Sequence, residues 1–108
     1  MKRVARTARL KPDAIEQYDR LHADVWPEVL AAIERAGIRN YSIFRDGRRL
    51  FSYFETTDDV DLAEATRLML SEPKCRRWEE LMQSLQERSV QSCEGAWWMP
   101  MKEVFHQP

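Results

Sequence analysis

The sequence predicts an α+β fold, an antiparallel sheet with helices on one face in the order β-α-β-β-α-β, and three features carry that prediction. Apolar residues recur at helical steps from Ile15 to Ile33 and again from Cys75 to Leu85. Between those segments, two stretches rich in β-branched and aromatic residues flank Asp46-Gly47, a strong hairpin signal. Short stretches of strand character stand near both ends of the chain. This is the ferredoxin-like split βαβ order.

The elements follow in turn. Val4 to Leu10 reads as a first strand, and Arg3, Arg6 and Arg9 suit it to an edge or to a ligand-facing side. Lys11-Pro12-Asp13 ends the strand and opens a helix, with the proline near the first turn, where its missing N–H costs little. Ile15, Tyr18, His22, Val25, Val29 and Ile33 then trace one helix face. Pro27 breaks that helix near Ala23 to Trp26, because it lacks a donor and crowds the preceding turn. Gly37 closes the second segment as a C′ residue. Ile38 to Arg45 and Arg49 to Thr56 form the hairpin, with Tyr41 and Ile43 on one face and Ser42 and Phe44 on the other. Asp58 to Leu70 reads as a short helix, and Ser71-Glu72-Pro73 caps and opens another, whose apolar face runs through Cys75, Trp78, Leu81 or Met82, and Leu85. Glu87 to Gly95 reads as loop and Met101 to His106 as the last strand, preceded by Trp97-Trp98.

A chain of 108 residues fits one domain, here residues 1–108, and buries only a modest core. The uncovered sheet face invites a second copy, which would complete a dimeric α/β barrel. Charge is balanced, with 17 Lys and Arg against 18 Asp and Glu, so nothing draws nucleic acid. No run approaches the roughly 20 apolar residues of a membrane span, and the first residues lack the apolar core of a signal peptide. A cytoplasmic protein is expected, with Cys75 and Cys93 as free thiols and Cys75 in the core.

The chemistry-bearing residues are few. Tyr18 and His22 lie four apart on one helix face and Trp26 follows after four more, so a phenol, an imidazole and an indole point the same way. His22 reads either as a helix histidine satisfied by a backbone carbonyl or as a general acid and base, since an ordinary pKa of about 6.5 lets it exchange a proton near neutrality. Tyr18 and Trp78 are equally readable as core or as ligand contacts. Trp97 and Trp98, being adjacent, should face opposite ways. No Cys/His cluster suggests a metal, and the three glycines are isolated, so no phosphate loop suggests a nucleotide cofactor.

Tyr18-x-x-x-His22, Val25-Trp26-Pro27-Glu28, Asn40-Tyr41-Ser42-Ile43-Phe44, Arg77-Trp78 and Glu103-Val104-Phe105-His106 together resemble the L-rhamnose mutarotase family, in that family's order and over nearly the whole chain. The resemblance implies a homodimeric α+β barrel and a cofactor-free exchange of the α and β anomers of a 6-deoxyhexose by ring opening and reclosure. It implies His22 as the proton donor, with Tyr18, Tyr41 and Trp78 on the sugar. The family's second adjacent tryptophan is replaced here by Glu79, which removes a stacking surface, adds a hydrogen-bond acceptor and invites L-fucose as an alternative sugar. Trp97 or Trp98 would supply the missing ring. Cofactor-free monooxygenases, haem-degrading proteins and non-catalytic ligand-binding domains share such small barrels and are the competing readings.

Overall fold

The computed structural model describes residues 1–88 and 97–108. Its elements are β1 (Lys2–Leu10), α1 (Ile15–His22), α2 (Pro27–Arg35), β2 (Ile38–Asp46), β3 (Arg49–Thr56), α3 (Leu62–Leu70), α4 (Pro73–Leu85), β4 (Gln86–Glu87) and β5 (Met99–Pro100). Each predicted helical layer is a broken pair of helices, and the α+β ferredoxin-like order holds. The sheet runs β2-β3-β1-β4, with β5 also on β1, and every pairing is antiparallel.

Register assigns the two faces. Leu50, Ser52, Phe54 and Thr56 are buried at alternate positions of β3, opposite Ala8, Arg6, Val4 and Lys2 of β1. Leu10 and Leu50 join Ala14, Tyr18, Val29, Ala32, Cys75, Trp78, Met82 and Leu85 in one cluster, so the helices cover this face. On the other face Phe44 and Phe51 are exposed, with ring centroids 6.3 Å apart.

The break between α1 and α2 falls where proline requires it. Trp26 is extended at φ −58° and ψ 135°, and Pro27 starts α2, where an N–H would have no partner. Gly37 ends that segment at φ +80°, and a Cβ there would come within 2.8 Å of Val60 Cγ2. Glu72 caps α4 by accepting from the Lys74 and Cys75 amides, and Met82 rather than Leu81 is the buried member of its apolar face.

Several boundaries differ from the sequence reading. β1 lies inside the sheet rather than at an edge; its arginines divide by parity, Arg6 toward the helices and Arg3 and Arg9 away. Pro12 sits before α1, not in its first turn. Asp46 pairs with Arg49, so the hairpin loop is Gly47-Arg48, with the positive φ of Gly47 at the first loop position. α3 starts at Leu62 because Asp61 caps it, accepting from the Glu64 amide. The last strand is Met99–Pro100, supplemented by Gln86–Glu87 on the same edge of β1, and not Met101 to His106. The Met101 amide still donates to the Ala5 carbonyl at 2.8 Å, but Val104 and Phe105 beyond it are 87% and 78% exposed. Glu87 belongs to a strand rather than the loop, and the rest of that predicted loop from Ser89, with Cys93, lies outside the described residues.

Candidate functional site

A β-bulge gives β2 the parity the site needs. Asn40 and Tyr41 together oppose Phe54, and Asn40 takes φ +52°. Asparagine tolerates that left-handed conformation better than most residues. Its side-chain amide donates to Glu55 Oε1 at 2.6 Å, while the Tyr53 hydroxyl donates to Glu55 Oε2 at 2.7 Å. With one extra residue, Ile38 and the odd-numbered Tyr41 and Ile43 all turn toward the helices. Tyr41 then lies against Phe54, ring centroids 5.3 Å apart.

Above it, α1 ends at His22, whose Nδ1 lies 2.9 Å from the Tyr18 carbonyl oxygen. A carbonyl only accepts, so Nδ1 carries a proton and donates, which leaves Nε2 as the nitrogen that can exchange one. The satisfied-histidine reading thus holds for Nδ1, and the proton-carrier reading depends on Nε2. The imidazole packs on Tyr18 at 4.1 Å between centroids and edge-on to Trp78 at 5.4 Å, and Trp78 meets Trp26 at 5.1 Å. Apart from Trp26, these rings border a cleft of about 540 Å³ lined by Tyr18, His22, Tyr41 and Trp78 together with apolar Val25 and Ile43. A volume of that order suits a small ligand, and apolar walls with few polar groups suit one that must be oriented.

Asp19 and Arg45 also border this cleft, and sequence reading missed them: Asp19 looks like solvated helix surface until β2 is placed beside α1. The Arg45 guanidinium donates to both Asp19 carboxylate oxygens, at 2.8 and 2.7 Å. Both side chains are partly exposed, so the pair ties strand to helix at the rim with little net stabilisation. Glu79 stands off the cleft's lining, half-buried, accepting from Gln83 Nε2 at 3.2 Å, although its charge still reaches the Tyr41 hydroxyl. Trp98 packs against the core cluster, while Trp97 stacks over Arg88, with 5.0 Å from the guanidinium carbon to the ring centre. The adjacent indoles thus serve different surroundings. Cys75 is buried with Sγ 3.6 Å from the Glu28 carbonyl, and burial pushes its thiol up to about 11, so it is a core residue. Among the described residues no three His, Cys, Asp or Glu side chains gather as a metal site.

The phenols are tuned to stay protonated. Burial raises the Tyr18 pKa far above that of free tyrosine, with the Tyr41 and Asp19 charges adding to the rise. Burial also raises Tyr41, opposed by the charge and hydrogen bond of Arg6. Tyr53 is raised too, first by its hydrogen bond to Glu55. Tyr18 and Tyr41 are therefore protonated near neutrality, with their hydroxyls available to donate. The folded protein retains protons that the unfolded chain releases above pH about 10. This contribution to stability is complete below that pH and is lost progressively above it, as pH rises through the raised folded-state values. Near-ultraviolet titration should show no one of the three tyrosines ionising at the ordinary value of about 10 in the folded state. An ordinary titration before unfolding would contradict the burial.

Comparison with known proteins gives the chain a family and supports the fold. The family model described as L-rhamnose mutarotase matches residues 3–107. An L-fucose mutarotase of Xanthomonas campestris pv. campestris is 35% identical, over 97% of this chain and 87% of its own. An L-rhamnose mutarotase of Bacillus subtilis is 35% identical over 98% of both chains. The crystal structure of an L-rhamnose mutarotase from Formosa agariphila superposes with a TM-score of 0.76 at 21% identity, covering all of both chains, and supports the fold.

Proposed function

The chain belongs to the L-rhamnose mutarotase family, isomerases acting on carbohydrate, and we propose that it interconverts the α and β anomers of L-rhamnose in the cleft between α1 and the sheet. The observation that carries the reading is His22 with Nδ1 held by the Tyr18 carbonyl and Nε2 left for proton exchange, beside Tyr18, Tyr41 and Trp78.

Anomer exchange needs one proton delivered to the ring oxygen and one removed from the C1 hydroxyl. Protonated His22 gives its Nε2 proton to the ring oxygen as the C1–O bond breaks, and a cleft water takes the hydroxyl proton. The open aldehyde turns about C1–C2. Reclosure forms the C1–O bond on the other face, His22 recovers its proton, and the water returns the other to O1. Tyr18 and Tyr41, held protonated, donate hydrogen bonds to sugar oxygens, and the Trp78 indole offers the ring an apolar surface. Glu79 acts at longer range, through the Tyr41 hydroxyl. No step requires a cofactor or a metal.

In this reading residues 1–108 are a single cytoplasmic domain that works as a homodimer. Phe44 and Phe51 on the uncovered face support pairing with a second copy, because exposed aromatics gathered on one surface favour burial. The balanced charge offers no field to draw nucleic acid, and among the described residues no helix is long and apolar enough to cross a membrane.

The L-fucose relative and the Glu79 departure make L-fucose the second sugar to test. Saturation-transfer NMR of the anomeric protons of both sugars should show exchange faster with enzyme than in buffer, and faster for L-rhamnose. Acceleration of L-fucose alone would reassign the sugar, and acceleration of neither would overturn the reading.

A further inference from the structure

Asp19 and Arg45 border the cleft but take no part in the proton transfers. Arg45 is on β2, where it continues the helix-facing row of Tyr41 and Ile43, and Asp19 is on α1, one turn before His22. The Arg45 and Asp19 side chains are 31% and 49% exposed, so both remain accessible from the cleft they line.

The Arg45 guanidinium is fixed at three points. Nε and Nη2 donate to the two Asp19 carboxylate oxygens at 2.8 and 2.7 Å, and Nη1 donates to the Gly47 carbonyl at 2.9 Å. A guanidinium has five N–H donors, so three in use leave two, and a carboxylate that accepts two hydrogen bonds keeps about two of its roughly four lone-pair sites. The fork thus presents a fixed anionic acceptor and a fixed cationic donor side by side. An ion pair this exposed adds little to stability, so its effect on the fold is small.

A sugar hydroxyl both donates and accepts. Tyr18 and Tyr41 are protonated, and His22 Nε2 delivers a proton, so these groups meet sugar oxygens chiefly as donors. Among the described residues lining the cleft, Asp19 is the one carboxylate, and its oxygens can receive the protons of sugar hydroxyls. Residues three apart on a helix have Cβ atoms about 5–6 Å apart, comparable with the width of a pyranose ring. A sugar with its ring oxygen and C1 at His22 therefore turns C3 and C4 toward Asp19, because those two carbons lie opposite the ring oxygen and C1.

We propose that Asp19 and Arg45 bind the C3 and C4 hydroxyls of the sugar and set its specificity, Asp19 accepting from one hydroxyl while Arg45 donates to its neighbour. This rests on the mutarotase reading and names the part of the sugar that the cleft selects. L-Rhamnose and L-fucose differ in configuration at C2 and C4, so a contact at C4 tells them apart where apolar walls cannot.

Anomeric exchange is measured over a range of concentrations of whichever of L-rhamnose and L-fucose the wild type accelerates, and of its 2-deoxy, 3-deoxy and 4-deoxy forms. Asp19→Ala, at a helix position that favours alanine, should raise KM about tenfold, the effect of losing a hydrogen bond to a charged group. Arg45→Met should raise it by a similar factor, and both losses should fall on KM rather than on kcat. In wild type, removing the C3 or the C4 hydroxyl should also raise KM about tenfold. In Asp19→Ala the penalty for one of these hydroxyls should shrink to below about threefold, and in Arg45→Met the penalty for the other, because a lost contact cannot be lost twice. The 2-deoxy form should carry the same penalty in all three proteins. If the pair only ties strand to helix, the 3-deoxy and 4-deoxy penalties will be the same in wild type and both variants. That result, or an unchanged KM in both variants, overturns the proposal and leaves the mutarotase reading standing. If wild type accelerates neither sugar, that reading fails and this one falls with it.

Discussion

His22→Gln should lose a factor of about 10² to 10⁴ in anomeric exchange, the ordinary contribution of a positioned general acid, while the protein stays folded. Glutamine suits the end of a helix nearly as well as histidine and can still donate toward the Tyr18 carbonyl, but it cannot give up a proton. His22 is half-buried at the last position of α1 and is not a member of the buried core cluster. Far-UV circular dichroism should therefore match wild type and the melting temperature should move by only a few degrees, about what 1 kcal/mol produces in a domain of this size. Retained fold with lost exchange separates chemistry from architecture. Exchange within a factor of about three of wild type, too small for a proton-transfer role, would remove His22 from the mechanism.

Trp78→Ala carries the second large effect, and it acts on fold and site together. Trp78 is 8% exposed, in the cluster that joins α1, α2 and α4 to Leu10 and Leu50 of the sheet. It makes edge contacts with both His22 and Trp26, and such pairs add about 0.5–1.5 kcal/mol beyond simple burial. Truncation to alanine should cost about 3–5 kcal/mol, a large share of the roughly 5–15 kcal/mol that holds a typical domain together. Urea titration should show a markedly lower midpoint with little change in slope. Trp78→Phe keeps most of the buried surface and should recover most of the stability, yet weaken sugar binding, because the smaller ring offers less surface to the cleft. A loss below about 1 kcal/mol in Trp78→Ala, far less than buried tryptophans cost, would mean that the cluster does not close as described.

Local signals in the chain made most of the fold legible. Pro27 marks the start of α2, Gly37 its end, and the apolar period through Tyr18 and His22 identifies the buried side of α1. The hairpin was legible too, shifted by one residue, because Asp46-Gly47 signals a tight turn without saying which two residues cross it. Signals that depend on pairing were not legible. Val104 and Phe105 have strand character, yet pairing with β1 is taken by Met99–Pro100 and the chain then leaves the sheet. Strand propensity describes a side chain and cannot reveal whether a partner edge is free.

The site divides in the same way. Tyr18 and His22 lie one helical turn apart, so sequence spacing alone brings them together. Tyr41 joins them through the bulge at Asn40, of which one clue was visible: Ile38 and Ile43 are both apolar but stand an odd number of residues apart, which a regular strand cannot bury on one face. Asp19 and Arg45 reach the cleft only because β2 is placed beside α1, and their residue types read from sequence as ordinary surface. The same limit applies to Glu79, which follows Trp78 in sequence yet points off the cleft's lining because neighbours on a helix diverge.

In the proposed reaction the cleft beneath α1 exchanges sugar anomers through His22. Saturation transfer between the α and β anomeric protons of L-rhamnose near pH 7, with wild type, with His22→Gln and in buffer alone, tests it most directly. Wild type should accelerate exchange clearly, and His22→Gln should give a rate close to buffer. Equal acceleration by both proteins, or by neither, would contradict it.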